Sequence, residues 1–100
     1  MQERERDVER ALSVMVRRHG GWCLKWGCPG WSGAPDRIVL LPGGRVIFVE
    51  VKHPKGGRVS PRQAWFAEQL QALGFQHRFV WNREDIEKLE QEIKGAKEWT

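Results

Sequence analysis

The 100-residue sequence lacks an apolar run long enough to span a membrane. Its first residues are charged and helical in pattern, so we expect no secretory signal. Cys23 and Cys28 are the only cysteines, too few for a four-ligand structural zinc site, which favours reduced and unpaired thiols. No glycine-rich loop is followed by Lys-Ser or Lys-Thr, which argues against nucleoside triphosphate substrates. These absences predict a soluble, intracellular protein.

Acidic residues are scarce in the middle of the chain. Residues 21–82 carry eight basic side chains and three acidic ones, and two of those acids are Asp36 and Glu50. A basic field of this kind is typical of a surface that binds a polyanion, although an ordinary basic surface would look the same.

Tryptophan is abundant instead, with six in 100 residues. Trp22, Trp26 and Trp31 lie in one glycine-rich stretch. They either fill the core and anchor a loop, or they form a surface for stacking nucleotides or for contacting another subunit.

The hydrophobic pattern predicts an α/β fold in the order helix, short strand, hairpin, helix, strand, helix. We expect a mixed central sheet flanked by helices, within a single domain over residues 1–100. On the second helix, apolar spacing predicts burial of Ala64, Trp65, Ala67, Leu70 and Leu73. The predicted segments, in chain order, are 3–18, 22–26, 37–41, 45–52, 60–73, 75–81 and 83–94.

The hairpin brings charged residues together. Pro42-Gly43-Gly44 separates two apolar runs and predicts a three-residue turn, with the residues that flank it facing one another. Counting outward from this turn places Asp36 directly opposite Glu50. Opposed residues share a face of the sheet with Cβ atoms about 5 Å apart. Lys52 lies two positions from Glu50 and shares that face.

Two carboxylates this close repel each other unless a cation lies between them. We therefore expect Asp36, Glu50 and the backbone carbonyl of Val51 to hold Mg²⁺ for phosphodiester hydrolysis. Lys52 would orient the attacking water or hold a phosphate oxygen. The plainer alternative is a surface ion-pair cluster, in which Asp36 caps a strand and Glu50 pairs with Lys52.

Pro35-Asp36 followed by Glu50-Val51-Lys52 resembles the PD-(D/E)xK nuclease signature. The flanking segments extend this resemblance to the stand-alone VRR-NUC nuclease domain of phage and bacteria, over about residues 5–87. The segments that carry it are Gly33-Ala34-Pro35-Asp36-Arg37-Ile38, residues 43–52, Ser60-Pro61-Arg62-Gln63 and Leu73-Gly74.

The resemblance implies a restriction-endonuclease-like fold and DNA cleavage that depends on Mg²⁺ or Mn²⁺. It implies Asp36 and Glu50 as metal ligands and Lys52 as the catalytic lysine.

The resemblance also implies a catalytic, metal-binding glutamate on the first helix. Glu9 is favoured by its distance to the helix stop at Gly20, and Glu5 lies one turn earlier and nearer the apolar face. Gln63 is implied to reach the site or the scissile strand, unless it is only a polar residue of the first helical turn.

The implied substrate is DNA, and some members of the family resemble Holliday junction resolvases. A four-way junction needs two nicks related by two-fold symmetry, which a C2 homodimer matches. The dimer interface would be the Trp22–Trp31 region or the outer face of the last helix. DNA contacts that weaken with salt are expected from Lys25, Lys55, Arg58 and Arg62.

Such an enzyme would act in the cytoplasm of a bacterial cell or phage-infected host. The alternative from another class is a non-catalytic DNA-binding module of a phage replication or packaging machine. That alternative accounts for the basic middle and the tryptophans, but not for two acids within the basic field.

Overall fold

A computed structural model describes residues 3–95 of the chain. The predicted order of elements is confirmed over these residues. The predicted domain limits, residues 1 and 100, lie outside the described residues, so a single domain over that range stays a prediction. The helices and strands are α1 (Glu5–Arg18), β1 (Trp22–Lys25), β2 (Arg37–Leu41), β3 (Arg45–Val51), α2 (Pro61–Ala72), β4 (Gln76–Val80) and α3 (Arg83–Lys94).

The strands form one mixed sheet in the order β1-β2-β3-β4. The β1–β2 and β2–β3 pairs are antiparallel, whereas β3 and β4 are parallel and are connected through α2. The predicted mixed sheet flanked by helices is therefore confirmed. No helix within residues 3–95 has the length and apolarity that crossing a membrane requires.

The hairpin turn sets the register of β2 and β3. Leu41 pairs with Arg45, as predicted for a three-residue turn over residues 42–44. Gly43 and Gly44 have φ angles of 84° and 76°, a left-handed conformation that glycine adopts without steric cost. The glycine pair thus allows the tight connection that the register needs.

The two faces of the sheet bury different side chains. The aliphatic face, covered by α1 and α3, packs Leu12 and Met15 against Val39, Ile47 and neighbouring aliphatic residues. The aromatic face, covered by α2, has a smaller buried cluster of Phe48, Phe66 and Leu70, with Trp26 packed against it. Alternation along the strands puts Asp36, Glu50 and Lys52 on the aromatic face.

The buried side of α2 differs from the prediction. Ala67 and Leu70 are buried as expected, together with Phe66, which was not predicted. Leu73 is 74% exposed and Trp65 is 39% exposed. Positions 66, 67 and 70 follow the helical spacing of one stripe, whereas Trp65 lies beside that stripe and Leu73 lies at the C-cap.

Candidate active site

Both predicted carboxylates lie in one row across the sheet, at the end away from the hairpin turn. The Trp26 N–H donates to the Asp36 carbonyl over 2.9 Å, which continues the β1–β2 pairing by one residue. Arg37 pairs with Val49, so the next position outward places Asp36 opposite Glu50. Glu50 in turn pairs with Phe79 of β4. The two acids are therefore neighbours, with an aromatic residue on either side of the pair.

Glu50 is almost completely buried, with 7% of its surface exposed. Its Oε2 atom is buried and has no hydrogen-bond partner among residues 3–95. Burial, and then the negative charge of Asp36, raise the pKa of Glu50 to about 7, against the opposing effect of Lys52. A carboxylate in this position is unstable as an anion unless a cation joins it.

Asp36 is held by the adjacent strand. Its Oδ1 accepts a hydrogen bond from the Val51 N–H over 3.2 Å. Burial raises the pKa of Asp36, against the lowering effects of this hydrogen bond and of Arg37. Because the N–H and C=O of one strand residue point to the same neighbour, the Val51 carbonyl also points to the side of Asp36.

Lys52 is positioned by the start of α2. Its Nζ donates to Gln63 Oε1 over 2.9 Å. The same oxygen accepts the Ser60 N–H over 3.0 Å, and the Gln63 N–H donates back to Ser60 Oγ over 3.1 Å. This reciprocal capping box holds the Gln63 amide in place, so the N-cap of α2 fixes the ammonium group of Lys52.

The two candidate glutamates on α1 differ in their surroundings. The Glu9 carboxylate pairs with the Arg37 guanidinium over 3.1 Å. The negative charge of Glu5 contributes to the raised pKa of Glu50. Within residues 3–95, no three side chains of His, Cys, Asp and Glu form a cluster able to hold an ion. The choice between Glu9 and Glu5 as an additional ligand therefore stays a prediction.

The basic residues predicted to contact DNA are all exposed. Lys25, Lys55 and Arg58 form no ion pair with other described residues, while Arg62 is held by two neighbours on the aromatic face. Cys23 and Cys28 are free thiols, as expected.

The donor set at Asp36 and Glu50 fits a hard divalent cation. It offers two neighbouring carboxylates, one with an orphaned buried oxygen, beside the backbone carbonyl of Val51. Oxygen ligands of this kind suit Mg²⁺ and Mn²⁺.

The chain is similar to two known proteins. A solved structure described as a VRR_NUC domain has a TM-score of 0.82 to this chain at 31% identity, covering 87% of this chain and 94% of that one. The protein named "Putative nuclease p44" of Acyrthosiphon pisum secondary endosymbiont phage 1 is 45% identical over 73 residues, 73% of this chain and 77% of that relative. The chain belongs to the VRR_NUC family. The predicted resemblance is thereby confirmed, although no family model matches the sequence.

One feature of this VRR_NUC site was missed from the sequence. Ser60 caps the N-terminus of α2, and it also immobilises the amide that contacts Lys52. The spacing Ser60-x-x-Gln63 is a capping-box signature, and that signal would have predicted where the Gln63 amide lies.

Proposed function

We propose that this VRR_NUC protein is a metal-dependent, structure-selective DNA endonuclease. The observation that carries the proposal is the adjacent pair Asp36 and Glu50, with an orphaned buried oxygen on Glu50 and Lys52 next to it. The phage relative is named as a nuclease, which supports the same activity. A purely structural ion-pair cluster would not leave a buried carboxylate oxygen without a partner.

The proposed metal ligands are Asp36, Glu50 and the Val51 carbonyl, with Glu9 or Glu5 completing the acidic set. A bound Mg²⁺ or Mn²⁺ supplies Lewis acidity and a water of lowered pKa for phosphodiester hydrolysis. Glu9 would have to leave Arg37 to join the pair, because its carboxylate is engaged by that guanidinium.

Lys52 contributes hydrogen bonds and charge to the reacting phosphate. Its ammonium group has three donors, and one of them is used on Gln63 Oε1. The others are available to a non-bridging phosphate oxygen and to the attacking water. Gln63 limits the motion of Lys52, so the ammonium charge is oriented before the substrate binds.

The surrounding basic residues fit a DNA substrate. We propose that Lys25, Lys55, Arg58 and Arg62 contact phosphates, with branched or junction DNA as the preferred form and a homodimer as the form that resolves a Holliday junction. We propose that the protein acts on this DNA in the cytoplasm of a bacterial or phage-infected cell.

Metal titration separates an enzyme from a DNA-binding module. We expect Mg²⁺ or Mn²⁺ to raise the melting temperature of the wild-type protein by several degrees, because binding to the folded state alone stabilises it. Asp36→Asn should abolish the rise. An unchanged melting temperature for the wild type at saturating metal would favour the non-catalytic module.

Cleavage of a labelled four-way junction tests the role of Lys52. In Mg²⁺ we expect Lys52→Ala to slow nicking by about a hundredfold or more, the loss typical of a charge-stabilising donor. Lys88→Ala, which removes an exposed lysine from α3 on the aliphatic side of the sheet, is the matched control and should nick at close to the wild-type rate. Equal rates for Lys52→Ala and wild type would remove Lys52 from the mechanism.

A further inference from the structure

The tryptophans that precede Asp36 have separate roles. Trp26 packs into the aromatic face, with its ring centroid 5.0 Å from that of Phe48. Trp31 is 56% exposed, although its ring contacts Phe66 edge-to-face at a centroid distance of 6.2 Å. Trp31 therefore has a fixed orientation but contributes little to the core. A large ring that is held in place and left half in solvent has surface available for a ligand.

The loop that carries Trp31 is fastened to the first turn of α2. Ser32 Oγ accepts a hydrogen bond from Arg62 Nε over 3.2 Å. Gly33 lies so close to α2 that a Cβ atom at this position would come within 2.6 Å of the Arg62 backbone. The position of Trp31 is thus set by direct packing against the helix that also supplies Gln63.

Arg62 is oriented without being neutralised. Its guanidinium carbon lies 4.6 Å from the centroid of the Trp65 ring, and its Nε is occupied by Ser32. Within residues 3–95 it forms no ion pair with a carboxylate. Its terminal nitrogens therefore remain available to a phosphate, and the guanidinium geometry matches two phosphate oxygens.

We propose that Trp31, together with the Arg62–Trp65 pair, holds an unpaired nucleotide of the DNA substrate beside the active site. Trp31 stacks on the base and Arg62 binds the adjoining phosphate. This inference rests on the proposed function and adds to it the feature of DNA that is recognised. A fully paired duplex cannot supply such a base without paying to unstack it, so the surface favours flaps and branch points.

The surface lies within reach of the reacting groups. Trp31 precedes Asp36 by five residues, which limits their separation to about 18 Å even for an extended chain. Arg62 is the direct neighbour of Gln63, whose side chain contacts Lys52. A nucleotide held here would be close to the scissile phosphate in the same strand.

A nucleotide fits this surface better than a second copy of the chain. A stable protein interface buries about 800 Å² on each partner, whereas two partly exposed rings offer a fraction of that area. The guanidinium of Arg62 has no carboxylate partner among residues 3–95, so an anionic ligand suits it. The acid on α2, Glu68, lies one turn beyond Trp65 and does not pair with Arg62. A base with its phosphate satisfies both the ring and the charge.

Fluorescence anisotropy in EDTA tests binding apart from cleavage. The probes are a labelled duplex with an unpaired oligothymidine flap and the same duplex without it. We expect Trp31→Ala to weaken flap binding about fivefold or more, the range for loss of one base stack, and to leave duplex binding unchanged. Trp31→Phe should retain most of the preference, and Arg62→Gln should reduce the salt dependence by about one phosphate contact.

Trp22→Ala is the matched control, because Trp22 is 67% exposed but lies at the hairpin-turn end of the sheet. Circular dichroism melting confirms that each variant is folded. If Trp31→Ala binds the flap with wild-type affinity, this inference is overturned while the proposed function stands. The same holds if Trp31→Ala converts a dimer to a monomer and retains its affinity for the flap. Failure of the wild type to bind either DNA would contradict the proposed function itself.

Discussion

The two faces of the sheet differ in what they bury. Among residues 3–95, the core cluster of the aliphatic face contains thirteen buried residues, whereas that of the aromatic face contains three. The two buried polar side chains, Glu50 and His77, both lie on the aromatic face, and each has a buried atom without a hydrogen-bond partner among residues 3–95. One face therefore mainly stabilises the fold, while the other carries buried polar groups that cost stability, and we assign one of them, Glu50, to function.

Two carboxylates illustrate the same difference. Beside the aliphatic face, Glu90 joins α3 to the end of α1 by accepting hydrogen bonds from His19 over 2.8 Å and Arg18 over 2.9 Å. These partners, His19 first, lower the pKa of Glu90 to about 2. On the aromatic face, burial raises the pKa of Glu50 to about 7. The acid with partners is structural, and we propose that the acid deprived of them belongs to the active site.

The largest expected effect is on the aliphatic core. Leu12→Ala should lower the free energy of unfolding by about 2–5 kcal/mol, because Leu12 is completely buried and the cavity cannot collapse. Leu70→Ala on the aromatic face should cost less, because its cluster is smaller and partly open. Urea unfolding measures both values, with Leu73→Ala as the exposed control. An equal or larger cost at Leu70 would break the comparison between the faces.

Glu50→Gln should separate stability from function. The raised pKa means that the folded state binds more protons than the unfolded state between pH about 4.5 and about 7, so ionisation of Glu50 destabilises the protein as pH rises through that window. At a pH of about 8 in EDTA, we expect Glu50→Gln to be more stable than wild type by about 1–3 kcal/mol. Melting temperatures of both proteins in EDTA measure the difference in stability. Melting temperatures in Mg²⁺ should show that Glu50→Gln has lost the metal-induced rise of the wild type.

Glu68→Gln removes an exposed acid from α2 and controls for a general change in charge. If Glu50→Gln is less stable than wild type at this pH without metal, the Glu50 carboxylate is a structural group and the contrast with Glu90 is wrong.

The smallest expected effect compares two helix caps. Ser60→Ala and Asn82→Ala each remove a side-chain acceptor from a helix N-terminus and should each cost about 1 kcal/mol. Ser60→Ala alone should also slow DNA nicking severalfold, because α2 holds Gln63 against Lys52. Nicking rates below the melting temperature test this, and Ser60→Thr should restore the rate. Equal rates for the two alanine variants would show that the cap of α2 has no role in positioning Lys52.

The sequence predicted the backbone of the site well. Glycines at 43 and 44 specify a short turn, and counting from it is enough to find the neighbour of Asp36 because strand pairing is periodic. Ser60 and Asn82 are residue types that favour the N-cap position, and they occupy that position at the starts of α2 and α3. These features depend on local chemistry, which a sequence displays directly.

Tertiary contacts could not be predicted from the sequence. It could not tell which tryptophan enters the core, because the burial of Trp26 and the exposure of Trp31 depend on how this segment packs against the aromatic face. It did not indicate that Glu9 pairs with Arg37, since that contact joins distant segments. The burial of Phe66 in place of Trp65 follows from the rotation of α2 on the sheet, which apolar spacing alone did not determine.

Gly33 has a consequence for how the site tolerates change. It lies in the loop that leads to Asp36, where it packs against the backbone of Arg62 in the first turn of α2, next to Gln63. A methyl group at this position would push the loop and α2 apart, and would move Asp36 away from Gln63, which holds Lys52. The alignment of this small protein's reactive groups is thus governed partly by a residue that has no side chain.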